Sequence, residues 1–136
     1  MKYFRAKKVV DELSTKQFKS ANNNDDRIIH YAESDGFEYL GIESADLSAL
    51  LAAQPVELEV AELTFAEIKP ILDNCKMMKD FNSIIEGQIA EKYSFGRELK
   101  MRDLLVTDPE RIEYEAVKES VKAPIRLKKQ EFGLIV

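Results

Sequence analysis

The stretch RIIHYAESDGFEYLGIE, residues 27–43, constrains the fold more than any other part of the chain. Asp35-Gly36 separates two runs of alternating residues. Gly takes a positive φ without steric cost and Asp tolerates one, so the pair suits a two-residue hairpin turn. On the first strand Ile28, His30 and Ala32 are expected on one face, with Ile29 and Tyr31 on the other. On the second, Phe37, Tyr39 and Gly41 alternate against Glu38, Leu40 and Ile42. Both faces carry apolar residues, which predicts a sheet covered in part on both sides. Gly41 marks a bulge or the close approach of another group.

Two further segments can widen the hairpin into a sheet. In VELEVAEL, Val56, Leu58 and Val60 alternate with Glu57, Glu59 and Glu62, the pattern of a strand with one dry and one wet face. KYFRAKKVV, near the amino end, pairs as a strand through Tyr3, Phe4, Val9 and Val10 or opens a short helix through VVDELSTKQF; both readings stand. SANNNDD, residues 20–26, is polar and rich in turn formers, which predicts a flexible loop. SADLSALLAAQ, residues 44–54, reads as a short helix capped by Ser44 or Asp46 and stopped by Pro55.

The second half is helical in pattern. Thr64-Phe65-Ala66-Glu67 is a capping box: the Thr hydroxyl can accept from one unpaired N–H, and the Glu carboxylate from another. Phe65, Ile68, Leu72, Cys75 and Met78 follow at helical spacing, and Phe81, Ile85, Ile89 and Tyr93 continue the stripe. Pro70 cannot donate to the preceding turn. One bent helix, or two near 64–75 and 78–93, is therefore expected. Cys75 falls in the stripe as a core thiol, and Met77 and Met78 as gap fillers. Gly87 costs a helix about 1 kcal/mol relative to Ala and could, with Ala90, leave a notch for another backbone. Ser94 and Gly96 mark a turn. Leu99, Met101, Leu104 and Leu105 then form a short helix. Thr107 or Asp108 caps a last helix with Pro109 in its first turn and Ile112, Ala116, Val117 and Val121 as its stripe. Tyr114 lies toward the edge of that stripe. Glu115–Lys118 and Glu119–Lys122 are in register to pair, and Pro124 is expected to end the helix.

The tail IRLKKQEFGLIV finishes on Phe132, Leu134, Ile135 and Val136. Ile125 and Leu127 alternate with Arg126 and Lys128, which predicts a final strand. An apolar tail must be covered, so residues 125–136 are read as a docking segment, on the chain's own body or on a neighbour. Phe132, Leu134, Ile135 and Val136, with Lys128 and Lys129, are the candidate interface residues. The whole reads as an α+β fold. A small antiparallel or mixed sheet spans about residues 27–60, with the terminal segments able to join it. Three to four helices pack against it in a single domain, 1–136.

No catalytic signature is present. HExxH, GxSxG, the phosphate-loop and dinucleotide glycine patterns and CxxC are all absent from the sequence. One Cys and one His make a poor set for structural zinc. Asp25-Asp26, Glu33-Asp35, Asp103 and Asp108 are the acidic candidates for a divalent ion, but none has EF-hand spacing; turn and cap roles explain them more simply. Tyr31, Tyr39 and Tyr93 could line a pocket, though a core role is plainer. No catalytic, cofactor or metal residue is named, and a Cys75/His30 pair has no motif behind it. The formal charge is -5. It is uneven: residues 1–20 hold six Lys/Arg against two acids, 122–136 hold four against one, and 21–121 hold ten against twenty-two. Basic ends around an acidic body favour contact between copies or with another acidic surface, and argue against nucleic acid. The start MKYFRAKKVVDEL is not a signal peptide, and no apolar run is long enough to span a bilayer. Neither a membrane nor a cofactor is expected, and the cytoplasm is the expected compartment.

The short chain begins MKYF and carries KDFNSIIEGQIAEKYSFGRELKMRDLL followed by DPERIEYEAVKESV. Over about residues 78–123 this layout resembles small bacteriophage or prophage proteins of the virion and tail-accessory kind. The resemblance carries no site residue across. It implies a structural or assembly protein that works by contact with itself or other structural proteins, in the cytoplasm or in a virion. The alternatives are a binding module for a small ligand or protein, and an enzyme with a carboxylate-lined cleft.

Overall fold

A computed structural model describes residues 1–7, 28–43 and 59–136. The expected loop at 20–26, the helix at 44–54 and the VVDELSTKQF segment lie outside the described residues. Among those described, four strands form one antiparallel sheet and four helices follow, an α+β fold. They fall into two compact units, Met1–Met78 and Lys79–Val136.

In the first unit β1 (Lys2–Lys7), β2 (Ile28–Ser34), β3 (Phe37–Ile42) and β4 (Ala61–Leu63) stand in the order β2-β3-β1-β4. Lys2–Lys7 of the amino-terminal segment is therefore a strand, placed between the hairpin and β4, while Val9 and Val10 lie outside the described residues. Asp35 (φ 53°) and Gly36 (φ 82°) make the turn with positive φ at both positions, the geometry whose twist matches that of the flanking strands. Of the strand expected from Val56, residues 56–58 lie outside the described residues; Glu59 takes a left-handed conformation (φ 45°) and Ala61–Leu63 form the strand.

The hairpin is not regular. Ile28, Ile29 and His30 pair with Ile42, Gly41 and Leu40; Ala32, Glu33 and Ser34 pair with Tyr39, Glu38 and Phe37. Tyr31 is the extra residue of a β-bulge, which reverses the facing of everything beyond it. Gly41 makes room for it. A Cβ on Gly41 would stand 2.7 Å from the Tyr31 hydroxyl and 2.9 Å from its Cε2.

One face of the sheet buries Phe4, Ala6, Ile28, Leu40 and Ile42 as a cluster. On the other, Tyr3 packs against Tyr31 and Phe65, with ring centroids 6.3 and 5.8 Å apart. Burial pushes the Tyr3 phenol above its ordinary range. Phe65 opens α1 (Phe65–Asn74), whose Ile68 and Leu72 are fully buried. Its capping box is complete. The Thr64 N–H donates to Glu67 Oε1 at 3.1 Å, and the Glu67 N–H donates to Thr64 Oγ1 at 3.2 Å. The bond from the Thr64 backbone, then that from its hydroxyl, hold the Glu67 carboxyl below the usual carboxylate range. Pro70 is accommodated inside α1, and the break comes at Cys75, which is extended (φ -73°, ψ 157°).

Cys75 ends one helix and starts the next. Its N–H donates to Leu72 O, while its Sγ accepts from the Met78 N–H at 3.5 Å, the third residue of α2 (Lys76–Lys92). The thiol is buried and fills the place a Ser or Thr oxygen usually takes at a helix start. Cys75→Ala should therefore lower stability by about 1 kcal/mol, while Cys75→Ser should keep most of it, as read from urea unfolding.

The second unit holds the rest of α2, α3 (Phe95–Asp103), α4 (Pro109–Glu131) and the tail. Along α2 the stripe Phe81, Ile85, Ile89 and Tyr93 faces inward as expected, with Ile89 and Tyr93 buried. Gly87 faces open space, with nothing within 4 Å of an added Cβ. It serves no close approach within its unit, and Gly87→Ala should raise stability by about 1 kcal/mol; a higher urea midpoint at unchanged slope checks it. Ser94 caps α3 by accepting from the Arg97 N–H at 3.2 Å. Gly96 is inside that helix, a correction to its reading as a turn residue. Arg111 Nη1 donates to the carbonyls of Met101 and Arg102 at 3.1 and 2.8 Å, satisfying acceptors that the end of α3 leaves open.

Two expectations about α4 are overturned. Its buried stripe is Tyr114, Val121 and Ile125, with Val117 beside it, while Ile112 is 55 % exposed. Tyr114 is the centre of the core, not its edge. The helix also runs through Pro124 to Glu131, so the tail is neither a strand nor part of the sheet. Ile125 is buried and Leu127 is 68 % exposed; a strand would have placed both on one face, whereas a helix continues the 121/125 spacing. The proline removes one hydrogen bond, and an ion pair from Glu119 to Arg126 bridges the same turns at 2.8 Å.

Gly133 (φ 70°) then reverses the chain. Its N–H donates to Gln130 O at 3.0 Å, and the Leu134 N–H donates to Lys129 O at 2.9 Å. This paired closure satisfies the last carbonyls of the helix, and Leu134 beyond it has no exposed surface.

Candidate functional site

The tail's return path shapes a cavity of about 570 Å³ within the second unit. Its floor is apolar: Ile85 and Ile89 from α2, and Ile135 from the tail. Arg102 from α3 and Lys118, Lys122, Arg126 and Lys129 from α4 stand around it, facing the carboxylates Glu86 and Glu98 and the amide of Asn82. The spacing of α4 explains the row. Positions 118, 122, 126 and 129 recur at three and four residues, so they share one helix face. The buried stripe 114, 121 and 125 lies on its flank.

These five cations are not equivalent. Lys118 bonds Glu115 at 3.3 Å and lies over the Tyr114 ring at 4.5 Å. Arg126 grips Glu119 through both nitrogens, at 2.8 and 3.3 Å. Lys129 Nζ donates to the neutral Asn82 Oδ1 at 2.7 Å, so its charge is undiminished. The side chains of Arg102 and Lys122 make no hydrogen bond or ion pair within 4 Å among the described residues. Desolvation works against ionised Glu115, but bonds from Lys118 and Arg111 prevail and hold its carboxyl below the usual range. The hydrogen bond from Arg126 does the same for Glu119, and that bond raises the Arg126 guanidinium in turn. Glu98 is held on the wall by the Tyr114 hydroxyl, which donates to Oε1 at 2.8 Å.

The arrangement can hold a carboxylate or phosphate over an apolar surface. Among the described residues the cavity lining contains no Ser, Cys or His. Of the interface residues read from the sequence, Ile135 and Lys129 line this cavity. Phe132 is half-buried, its ring 6.1 Å from that of Phe81. Leu134 is buried, Lys128 is exposed and Val136 is 89 % exposed. Arg102, Lys118, Lys122 and Arg126 were missed. The three- and four-residue recurrence of cations along α4 was the available signal, and the strand reading of 125–128 hid it. Tyr31 and Tyr93 are buried in cores and, with Tyr39, stand outside the lining. Asp108 is the cap of α4, accepting from the Glu110 N–H at 2.9 Å, and Asp103 ends α3. Asp25-Asp26 lies outside the described residues. Among the described residues no helix is long and apolar enough to cross a membrane. Scans against protein-family models, curated proteins and solved structures each found no match.

Proposed function

We propose that this chain is a non-enzymatic assembly protein, and that its helical unit captures an acidic, partly apolar segment of a partner protein. The observation that carries the reading is the cavity's composition. Five cations face two carboxylates over three isoleucines, in a chain whose formal charge is -5. A local reversal of the overall sign selects for an anionic partner and steers it to one place. The isoleucine floor asks that partner for aliphatic side chains as well, which a peptide supplies and a sugar–phosphate backbone does not. The acidic remainder of the chain repels a long polyanion. The volume lies in the range of small-ligand sites, which suits a few side chains of one segment. A structural protein of the same assembly, or a second copy of this chain, is the partner such a role implies.

The test is fluorescence anisotropy with a labelled twelve-residue peptide of alternating Glu and Leu pairs. A Lys/Leu peptide and a single-stranded oligonucleotide of the same length serve as comparisons. Saturable binding of the acidic peptide that weakens with salt is expected. Tighter binding of the oligonucleotide, or equal binding of both peptides, would contradict the reading.

A further inference from the structure

The β-bulge at Tyr31 does more than fit a ring beside Gly41. In a regular strand, residues 30 and 33 point to opposite faces. The extra residue brings both to the face of Glu38: His30 pairs with Leu40 and Glu33 pairs with Glu38, and Leu40 and Glu38 share a face of β3. One ligand atom from each of His30, Glu33 and Glu38 lies within 4.8 Å of the others. His30 Nε2 stands 3.4 Å from Glu38 Oε1. That is long for a hydrogen bond between these atoms. It matches the separation of about 3.3–3.4 Å between two donors each about 2.0–2.1 Å from a tetrahedral zinc ion.

Glu33 and Glu38 stand directly opposite each other on neighbouring strands, an arrangement in which two carboxylates repel and which a divalent cation held between them relieves; the Glu38 side chain is only 4 % exposed. Access remains, because His30 keeps 35 % of its side chain exposed and Glu33 is exposed.

We propose that His30, Glu33 and Glu38, converged by the Tyr31 bulge, bind one first-row divalent cation of the zinc class. The donor set of one imidazole nitrogen and two carboxylate oxygens fits Zn²⁺, Co²⁺, Mn²⁺ or Fe²⁺, and the imidazole disfavours Mg²⁺ and Ca²⁺. Three protein donors leave a coordination position for water, as in open zinc sites. Sequence patterns for zinc miss this set because two donors are glutamates and the bulge, not the spacing, aligns them. This site belongs to the sheet unit and is independent of the cavity in the helical unit.

The experiment uses the full, tag-free chain, with Zn²⁺ titrated by calorimetry and Co²⁺ by visible absorption, alongside His30→Ala, Glu33→Gln and Cys75→Ser. The expected result is one Zn²⁺ per chain, a tetrahedral cobalt spectrum, and binding at least about tenfold weaker in His30→Ala and Glu33→Gln, with Cys75→Ser unchanged. Glu33 is on the surface, so that variant reads the site without threatening the fold. No saturable binding, or binding that both variants leave intact, overturns the proposal. So does a loss confined to Cys75→Ser.

Discussion

Replacing Tyr114 with alanine should lower stability by about 3–5 kcal/mol, the range for truncating a large buried aromatic residue. The side chain has no exposed surface and fills the centre of the Tyr93–Met101–Tyr114 cluster. Three groups depend on it. The Tyr93 ring meets it edge-on at 5.0 Å and 73°, a geometry worth about 0.5–1.5 kcal/mol beyond area alone. The Lys118 ammonium lies over its face. Its hydroxyl donates a hydrogen bond to Glu98 Oε1 at 2.8 Å. Tyr114→Phe keeps the ring and removes only that last bond, so about 1.5–3 kcal/mol is expected from a bond to a charged acceptor. Urea unfolding followed by circular dichroism separates the two. Equal losses in both variants would mean that the hydroxyl, not the packed ring, holds this core together.

Arg102→Glu combined with Lys122→Glu should weaken acidic-peptide binding by about 10²-fold, with little change in the urea midpoint. Both side chains lack ion-pair partners within 4 Å among the described residues, and surface changes away from such features usually cost less than about 0.5 kcal/mol. The double reversal turns two attractions into two repulsions in one cavity. Like charges forced together at an interface cost several kcal/mol, and about 1.4 kcal/mol is a factor of ten in Kd. The salt dependence of the remaining binding should flatten. Unchanged affinity would remove the cations from the contact.

What was legible in the sequence was what local chemistry dictates. The turn at Asp35-Gly36 needs two positive φ angles, and that dipeptide accepts them. The Thr64/Glu67 box needs only four consecutive residues. The Met78–Tyr93 stripe follows from helical spacing, and Cys75 belongs to the same pattern, though its use of sulfur as a cap does not show in a periodicity. The failures share a different cause. Pro124 looked like a stop, but one missing bond inside a 23-residue helix is outweighed by the burial of Ile125 and the closure at Gly133. The bulge at Tyr31 arises from fitting a ring against Gly41 across the strand pair, a match between residues ten apart. The cavity draws on residues from 82 to 135, so no local motif could declare it. Segment charge hid it as well: Arg102 and Lys118 fall in the stretch that is acidic on average, although they stand beside the basic residues 122–129.

The central claim is that the helical unit's cationic cavity is where an acidic partner sits. The most direct measurement is a titration of the ¹⁵N-labelled chain with the Glu/Leu peptide, followed by amide shifts in two-dimensional spectra. The account predicts saturable shifts concentrated at Ile85, Ile89, Arg102, Lys122 and Ile135, all lining the cavity, and absent from the double-Glu variant. Shifts centred on the sheet, or the same shifts in that variant, would contradict it.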